Sequence, residues 1–334
     1  MTVTDADALA LIGRRALPLT DAALTRLAGA GRILVTGAGG SIGSILVGAL
    51  AAAGCDDLVM VDRDESQLHG LEMSLSREGL EVDPRFVLAD ITQPDDIAEV
   101  VGRAAPDVVI HAAALKHVPM LERFPREAWR VNVAGTLNVL RAARAAGVAR
   151  LVNLSSDKAC EPTSVLGRTK AVGERLVAAS GAEAWASVRL ANVLGSRGSV
   201  YPAFCAQIRA GAAITLTHPD VERYFLTPLE TARTLAEAWD RAAGGGVLAS
   251  RIDSACRIRD LAERLMLREG ARVPIRYTGL RPGEKLSEDI VAETEPRESA
   301  GAALWRVTVP ALAWDEVDAD YAWVMGESAH TPSP

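Results

Sequence analysis

Cysteine is scarce in this chain of 334 residues, and its four cysteines lack the paired spacing of a zinc site. No signal peptide is evident, so we expect reduced thiols in a cytoplasmic protein. Long hydrophobic runs are also missing, and none approaches the ~20 residues that a bilayer span needs. The net charge of −7 argues against broad nucleic-acid binding. We interpret His111 and His117 as packing or hydrogen-bonding residues, because no third metal ligand is evident. The sequence therefore predicts no metal site, no membrane span and no nucleic-acid partner.

Lysine is also rare, since lysine and arginine together number 36 and nearly all are arginine. Arginine serves a surface as well as lysine does, but it cannot exchange a proton near neutral pH. Retained lysines are therefore candidates for sites that need an ammonium group, although each could also be an ordinary surface residue. All of them fall within the motifs described below: Lys116, Lys158, Lys170 and Lys285.

A glycine-rich turn follows the first apolar, β-branched segment, Arg32-Ile33-Leu34-Val35-Thr36. The turn reads Gly37-Ala38-Gly39-Gly40-Ser41-Ile42-Gly43, and an Ala/Leu-rich helical stretch comes next. Strand, glycine turn and helix in this order are typical of dinucleotide binding, whereas a mere tight turn would not need the strand–helix alternations that follow. Gly37 permits the tight turn, Gly40 lets the backbone approach a pyrophosphate, and Gly43 lets the helix pack on the strand.

The ends of the next predicted strands carry residues suited to the rest of a dinucleotide. Asp62 ends the second strand, where a carboxylate accepts hydrogen bonds from the adenosine ribose and favours NAD over NADP. The adjacent Arg63 would favour the 2′-phosphate of NADP, so the choice between the two cofactors stays open. Residues placed to flank the adenine and the pyrophosphate follow the third and fourth strands: Asp90, Ile91, Ala112, Ala113 and Ala114.

Strand and helix patterns continue to alternate, and they include a long predicted helix from Arg126 to Ala146. The alternation predicts an α/β fold with a doubly wound parallel Rossmann sheet that binds ligands at the carboxyl ends of its strands. We expect an N-terminal helical extension over residues 1–30 and an NAD(P)-binding Rossmann domain over 31–195. Residues 196–334 would mainly form a smaller α/β substrate domain, interleaved with the first.

Several sequence blocks spread over nearly the whole chain form a distinctive set. They are Val35 to Gly43, His111-Ala112-Ala113-Ala114-Leu115-Lys116-His117-Val118-Pro119, Ser155-Ser156-Asp157-Lys158-Ala159, Asn192-Val193-Leu194-Gly195-Ser196, Thr217-His218-Pro219-Asp220 with Arg223-Tyr224-Phe225, and Gly279-Leu280-Arg281-Pro282-Gly283-Glu284-Lys285-Leu286. Together they resemble the extended short-chain dehydrogenase/reductases that modify nucleotide sugars. The resemblance is strongest to the CapD-like polysaccharide-biosynthesis branch, which includes UDP-N-acetylglucosamine 4,6-dehydratases. Gly13-Arg14 and Leu17-Pro18-Leu19 also resemble the segment that precedes the catalytic half in membrane-anchored members.

One residue typical of short-chain dehydrogenases is missing. Most of these enzymes carry a Tyr-x-x-x-Lys pair, but Leu166 stands four residues before Lys170, and leucine has no proton to exchange. Members of the resembled branch often carry methionine there, so we interpret Leu166 as a core residue in an enzyme that works without the tyrosine.

The resemblance implies a 4,6-dehydration in which NAD takes a hydride from sugar C4 and returns it to C6. In this scheme Asp157 is the acid for the C6 hydroxyl and Lys158 is the base at C5. Asp157 must then be protonated and Lys158 neutral, and burial under a bound sugar favours both neutral forms. Lys170 would orient the nicotinamide ribose, and Ser156 would contact the C4 hydroxyl and pass its proton onward. The alternative for Asp157 and Lys158 is a surface ion pair at the end of a strand.

The resemblance also implies a site for UDP in the second domain. Asn192, Ser199 and Val200 would lie near the diphosphate, Arg223 and Arg281 would bind it, Glu284 would hold the uridine ribose, and Lys116 would lie near the sugar or phosphate. Lys285 would support the loop. We expect a homo-oligomeric UDP-sugar 4,6-dehydratase that acts on a UDP-N-acetylhexosamine. UDP-N-acetylglucosamine is the main candidate. An epimerase of the same branch and a non-catalytic nucleotide-sugar-binding protein remain alternatives.

Overall fold

The computed structural model describes residues 4–77, 79 and 85–327 as alternating strands and helices. The strands are β1 (Ile33–Thr36), β2 (Leu58–Asp62), β3 (Arg85–Leu88), β4 (Val108–His111), β5 (Arg150–Ser156), β6 (Trp185–Leu190), β7 (Asn192–Val193), β8 (Ile214–Leu216), β9 (Glu222–Arg223), β10 (Phe225–Leu226), β11 (Val247–Ser250), β12 (Cys256–Arg257), β13 (Ile275–Tyr277), β14 (Arg297–Ser299) and β15 (Leu304–Val307). The helices are α1 (Asp5–Ile12), α2 (Ala22–Ala28), α3 (Ser41–Ala52), α4 (Glu65–Arg77), α5 (Pro94–Ala104), α6 (Val118–Arg123), α7 (Pro125–Trp129), α8 (Gly135–Ala145), α9 (Val165–Ala178), α10 (Val200–Arg209), α11 (Pro228–Asp240), α12 (Ile258–Arg268) and α13 (Tyr321–Met325).

Within the described residues, nine strands form one sheet in the order β14-β15-β11-β6-β5-β4-β1-β2-β3. Every pair of neighbours from β11 to β3 is parallel, as predicted for a Rossmann sheet. The prediction needs one correction, because β15 and β14 are antiparallel strands at the edge of the sheet. β11, β15 and β14 all follow residue 195, and α12 of the second lobe lies between β11 and β14 in the chain, so the chain passes between the main sheet and the second lobe more than once. The predicted boundaries at residues 30 and 195 stay predictions.

Apolar cores cover both faces of the sheet, which makes it doubly wound. In β1, Ile33 and Val35 point into one core with α2, α3 and α11, and Leu34 points into the other with α5, α8 and α9. All residues of this strand are fully buried. A strand that is buried on both faces reads as a continuous apolar run, which is the signal the sequence carries here.

The predicted long helix from Arg126 to Ala146 is not regular. It is divided into α7, a π-helical turn over Arg130–Ala134, and α8. Asn132 lies in this turn, where its amide accepts from Leu115 N at 2.8 Å and donates to Leu115 O at 3.0 Å. The turn thus holds the segment that follows β4, which lies at the ligand-binding edge of the sheet.

A second lobe is built from α10, α12 and short strand pairs around its own apolar core. The first helix packs into this core through Ala8, Leu11 and Ile12, whereas α2 packs on α3 and α11 of the main lobe. The first thirty residues therefore contact both lobes. Among the described residues, no helix combines the length and the apolar character needed to cross a membrane.

Candidate active site

The glycine turn after β1 is held by close backbone contacts. Gly37 has a φ of 67°, and a Cβ atom on it would come within 2.6 Å of the backbone of Ala113. A Cβ atom on Gly43 would lie 2.1 Å from Gly37 O, so α3 rests directly on the turn. A side chain at either position would collide with backbone, which agrees with the tight turn and the close helix packing expected there.

A cavity of about 210 Å³ lies at the carboxyl ends of β1 to β4. It is lined by nine of the residues predicted to bind the cofactor: Gly37, Gly40, Asp62, Arg63, Asp90, Ile91, Ala112, Ala113 and Ala114. Asp62 Oδ2 accepts a hydrogen bond from Gly39 N at 3.0 Å, and Arg63 pairs with Asp90 at 3.6 Å. Small residues along the floor and a carboxylate at the end of β2 are the features that the adenosine half of a dinucleotide requires.

Two basic residues, Lys116 and Arg197, contact the N-terminal end of α3. Ser41 Oγ accepts from Lys116 Nζ at 3.2 Å and from Arg197 N at 3.1 Å, and the Arg197 guanidinium donates to Gly39 O. Burial lowers the pKa of Lys116, and the nearby Arg197 lowers it further. Free N–H groups at a helix N-terminus and flanking cations suit phosphate groups. Ile42, by contrast, packs against the apolar core. Sequence reasoning missed Arg197, because it lies far from the glycine turn along the chain.

Asp157 and Lys158 begin a short 3₁₀ turn directly after β5. Lys158 Nζ lies 3.0 Å from Asp157 Oδ1, and Ser156 Oγ donates to the same oxygen at 2.8 Å. Asn192 Nδ2 lies 3.4 Å from Asp157 Oδ2. The side chain of Asp157 is only 1% exposed and that of Lys158 is 17% exposed, so the alternative of an exposed surface pair does not hold.

Glu288 is a further carboxylate at this site that sequence reasoning missed. It is 3% exposed, and its Oε1 lies 3.7 Å from Lys158 Nζ. Burial raises the pKa of Glu288, and the Lys158 ammonium offsets this only in part. The sequence signal for Glu288 was its position two residues after the Gly279–Leu286 block.

Leu166 and Lys170 lie one turn apart on α9. Leu166 is 4% exposed within the apolar core, so its interpretation as a core residue is confirmed. Lys170 Nζ donates to Leu154 O at 2.7 Å, which holds it against the end of β5. Burial lowers the pKa of Lys170 to about 8, against the opposing effect of Glu174.

A second cleft, of about 450 Å³, lies between the two lobes. Six of the seven predicted substrate residues line it: Lys116, Asn192, Ser199, Arg223, Arg281 and Glu284. The seventh, Val200, instead begins α10 and packs against the core of the second lobe. Lys158, Glu288, His117 and Arg197 also line the cleft. Ser199 Oγ is buried and has no hydrogen-bond partner among the described residues, so a ligand oxygen or N–H group could satisfy it.

The loop that carries Arg281 to Glu288 is fixed by backbone contacts. Lys285 Nζ donates to Glu161 O at 2.7 Å, which confirms its predicted support of the loop. Arg223 donates to Lys285 O at 2.8 Å and to Leu286 O at 2.9 Å. Arg281 and Glu284 form an ion pair with each other at 2.5 Å, so a ligand that binds either residue must share or separate this pair.

His111 and His117 differ in their surroundings. His111 is buried, with Nδ1 2.7 Å from Thr36 Oγ1 and Nε2 3.0 Å from Thr136 Oγ1, and burial lowers its pKa to about 3. It is therefore a neutral hydrogen-bonding residue, as predicted, whereas His117 lies in the wall of the larger cleft. Over residues 4–77, 79 and 85–327, no group of three or more His, Cys, Asp or Glu side chains is arranged to hold a metal ion.

Comparison with known proteins identifies the family of the chain. The model of a family described as polysaccharide biosynthesis protein matches residues 33–305. The chain belongs to this polysaccharide biosynthesis family. It is 37% identical to the capsular polysaccharide biosynthesis protein CapD of Staphylococcus aureus over 293 residues, which are 85% of this chain and 49% of CapD. It is 36% identical to the probable polysaccharide biosynthesis protein EpsC of Bacillus subtilis (strain 168) over 300 residues, 88% of this chain and 50% of EpsC. The predicted CapD-like relationship is thus confirmed, and the chain spans about half the length of these two family members.

Other similarities extend over most of both proteins. The chain is 32% identical to a UDP-glucose 4-epimerase of Rickettsia canadensis over 273 residues, 79% of this chain and 78% of that protein. The crystal structure of Pen from Bacillus thuringiensis has a TM-score of 0.76 at 29% identity and covers 84% of this chain and 90% of its own. The structure of the dTDP-glucose 4,6-dehydratase DesIV of Streptomyces venezuelae, solved with NAD and TYD, has a TM-score of 0.67 at 21% identity. The match covers 89% of this chain and 97% of the DesIV chain. The last similarity shows the fold alone.

Proposed function

We propose that this polysaccharide biosynthesis family member is a nucleotide-sugar-modifying enzyme, and that its reaction is the 4,6-dehydration of UDP-N-acetylglucosamine or a related UDP-N-acetylhexosamine. The observation that carries the proposal is the contact between the buried Asp157 carboxylate and Lys158, which lines the larger cleft. An acid and an amine this close can act on neighbouring carbons of one sugar ring. The similarity to a UDP-glucose 4-epimerase supports the coarser part of the proposal, a nucleotide-sugar-modifying enzyme.

The cofactor in this proposal is NAD, held in the smaller cavity by the glycine turn, Asp62 and the segment Ala112–Ala114. The steric fit of the turn against Ala113 and the small residues along the cavity floor support a dinucleotide. Asp62 favours NAD, and Arg63 is paired with Asp90, which opposes a role for Arg63 in binding the 2′-phosphate of NADP. When bound, NAD would supply hydride acceptance at C4 and hydride return at C6. Lys170, held by Leu154 O, would orient its nicotinamide ribose.

The hydrogen bonds of Ser156 suggest where the C4 hydroxyl proton goes. Ser156 Oγ donates to Asp157 Oδ1, so a sugar hydroxyl that donates to Ser156 can transfer its proton to the Asp157 carboxylate. Asp157 then holds the proton that the departing C6 hydroxyl requires. Lys158 must be a neutral amine at this stage to accept the C5 proton, which it later returns to C5. This relay replaces the missing tyrosine with Ser156 and Asp157, and the proton lost from O4 leaves in the water molecule.

The larger cleft suits the UDP part of the substrate. Lys116, Arg223 and Arg281 supply positive charge for a diphosphate, and the unpartnered Ser199 hydroxyl can donate to one of its oxygens. Glu284 would accept hydrogen bonds from the uridine ribose after its pairing with Arg281 loosens.

The test is incubation of the purified protein with UDP-N-acetylglucosamine and NAD, followed by mass spectrometry of the nucleotide sugar. Loss of one water and appearance of a 4-keto product are expected. An epimerase, the rival favoured by similarity to the Rickettsia canadensis protein, would give an isomer of unchanged mass. A binding protein, the rival motivated by Leu166, would bind both ligands without forming NADH in a single turnover. Either result would replace the proposal.

A further inference from the structure

Glu288 is placed to exchange a proton with Lys158. Its carboxylate is almost fully buried and lines the cleft beside the Lys158 ammonium, 3.7 Å away. This separation is about 0.5 Å longer than the upper end of an ordinary N–H···O hydrogen bond. Lys158 is thus flanked by two carboxylates, Asp157 at 3.0 Å and Glu288, and only Asp157 has a role in the proposed function.

Asp157 and Lys158 alone cannot accept both the O4 proton and the C5 proton. As an ion pair, Asp157 and Lys158 hold one exchangeable proton between them, on the lysine. Transfer of the O4 proton to Asp157 during C4 oxidation leaves both Asp157 and Lys158 protonated. Lys158 then has no lone pair with which to accept the proton from C5, so elimination cannot begin. If the O4 proton went elsewhere, some other group would still have to take it. Either route needs a third proton acceptor at the site.

We propose that Glu288 is this acceptor, a positioning residue that takes a proton from the Lys158 ammonium after C4 oxidation. This inference rests on the proposed function. The N–H bond of Lys158 breaks and an O–H bond forms on Glu288, which leaves a neutral amine facing C5. Lys158 then accepts the C5 proton while Asp157 gives its proton to the C6 hydroxyl, and water leaves. Lys158 returns the proton to C5 as the hydride reaches C6, and Glu288 finally returns its proton to Lys158.

The surroundings of Glu288 are compatible with this exchange. The charged groups that face it are Lys158, Asp157, Arg223 and Lys285. Arg223 and Lys285 are both engaged with backbone carbonyl oxygens, so neither neutralises the carboxylate directly. Burial favours the protonated form, which is the form that must exist during elimination.

The deciding experiment compares Glu288→Gln with Asp289→Asn, a change of the neighbouring carboxylate, which is exposed. In Glu288→Gln we expect the dehydrated product to form roughly 10²–10⁴-fold more slowly, because general acid–base assistance is worth about that much. C4 oxidation, followed as NADH absorbance in a single turnover, should remain within about threefold of wild type, because Ser156 and Asp157 are intact. NADH should therefore accumulate, and deuterium from heavy water should not enter at C5. Asp289→Asn should behave as wild type.

Two outcomes would overturn the inference. Product formation in Glu288→Gln at the wild-type rate would show that Lys158 needs no third group. Loss of C4 oxidation together with elimination would mean that Glu288 acts on folding or binding instead. Glu288→Asp, which keeps a carboxylate, should recover part of the elimination rate, and no recovery in a folded variant would also count against the role. If the wild type forms no dehydrated product, the proposed function itself fails, and that result is distinct from these.

Discussion

At the scale of single residues, Asp157 and Lys158 depend on burial for their proposed chemistry. A carboxylate that is 1% exposed and accepts from Ser156 and Lys158 is shielded from bulk water, so its protons exchange with these neighbours. We expect Asp157→Asn and Lys158→Met each to lower product formation by roughly 10²–10⁴-fold while NAD binding is retained. Product would be followed by mass spectrometry and NAD binding by calorimetry. Wild-type turnover in either variant would eliminate the acid/base pair.

Leu166 and Lys170 make a second comparison, since one helical turn separates a core residue from a site residue. Leu166→Ala should cost about 2–5 kcal/mol of stability through the cavity it creates, yet retain most activity at a temperature where it is folded. Lys170→Met should lose most activity, with little change in stability. Leu166→Met, which conserves volume, is the control and should cost less than about 1.5 kcal/mol. Activities would be compared with unfolding curves, and the opposite ranking of the two activities would show that this turn was misinterpreted.

How much of the site could be predicted depended on distance along the chain. Asp157 and Lys158 are adjacent, and the glycine turn is contiguous, so local pattern sufficed for both. Glu288 meets Lys158 across 130 positions, and Arg197 meets the glycine turn across a comparable distance. Such contacts arise only when the second lobe packs on the first, and no local spacing or propensity encodes them.

At the scale of secondary-structure elements, the strands were the easiest to predict because continuous apolar runs mark strands that are buried on both faces. The π-helical turn inside the predicted helix from Arg126 to Ala146 was not predictable, because local propensities do not distinguish a π-helical turn from an α-helix. Its cause is tertiary: Asn132 uses its side chain to bind both backbone groups of Leu115. Interruptions of this kind are frequent next to functional sites.

A buried ionic network joins three elements behind the candidate active site. Arg189 of β6 is 2% exposed and pairs with Glu174 of α9 at 2.8 Å and with Glu295, which precedes β14, at 2.7 Å. The Glu174 carboxylate also accepts from Ser155 at 2.6 Å, at the end of β5. Replacement of the arginine would leave the buried Glu174 carboxylate and the partly exposed Glu295 carboxylate without their cation. We expect Arg189→Met to lower the free energy of unfolding by about 3–5 kcal/mol, measured by urea denaturation.

The matched control for Arg189 is Arg103→Met. Arg103 pairs with Glu99 one turn away at 2.8 Å, but both side chains are largely exposed. Its loss should change the free energy of unfolding by less than about 0.5 kcal/mol, because exposed pairs contribute little. Equal effects of the two substitutions would mean that the buried network does not stabilise the junction between β6, α9 and the segment before β14.

At the scale of the whole molecule, the sequence predicted two lobes but not how the chain passes between them. The main sheet is completed by β11, β15 and β14, all of which follow the second lobe's first helix, α10, in the chain. The expected N-terminal extension is bound to both lobes and does not stand apart from them. The cytoplasmic location and the homo-oligomer stay predictions.

Arg14 is the main polar anchor between the N-terminal segment and the rest of the fold. Its guanidinium contacts both oxygens of Glu230, at 2.8 and 2.5 Å, and also donates to Phe225 O. Glu230 completes the capping box of α11 with Thr227, so one buried carboxylate fixes both the helix start and the segment. Arg14→Met should lower the free energy of unfolding by about 3–5 kcal/mol, because Glu230 is left buried without its cation.

Arg26→Met offers the control for this last prediction within the same segment. Arg26 also pairs with a carboxylate of α11, Asp240, at 2.9 Å, but the arginine is about half exposed. Its loss should cost less than about 1 kcal/mol. Limited proteolysis should release the first thirty residues faster from Arg14→Met than from wild type, and at the wild-type rate from Arg26→Met. Equal protection in both variants would mean that the apolar contacts of α1 and α2 alone hold the segment, and that the Arg14–Glu230 pair serves only the start of α11.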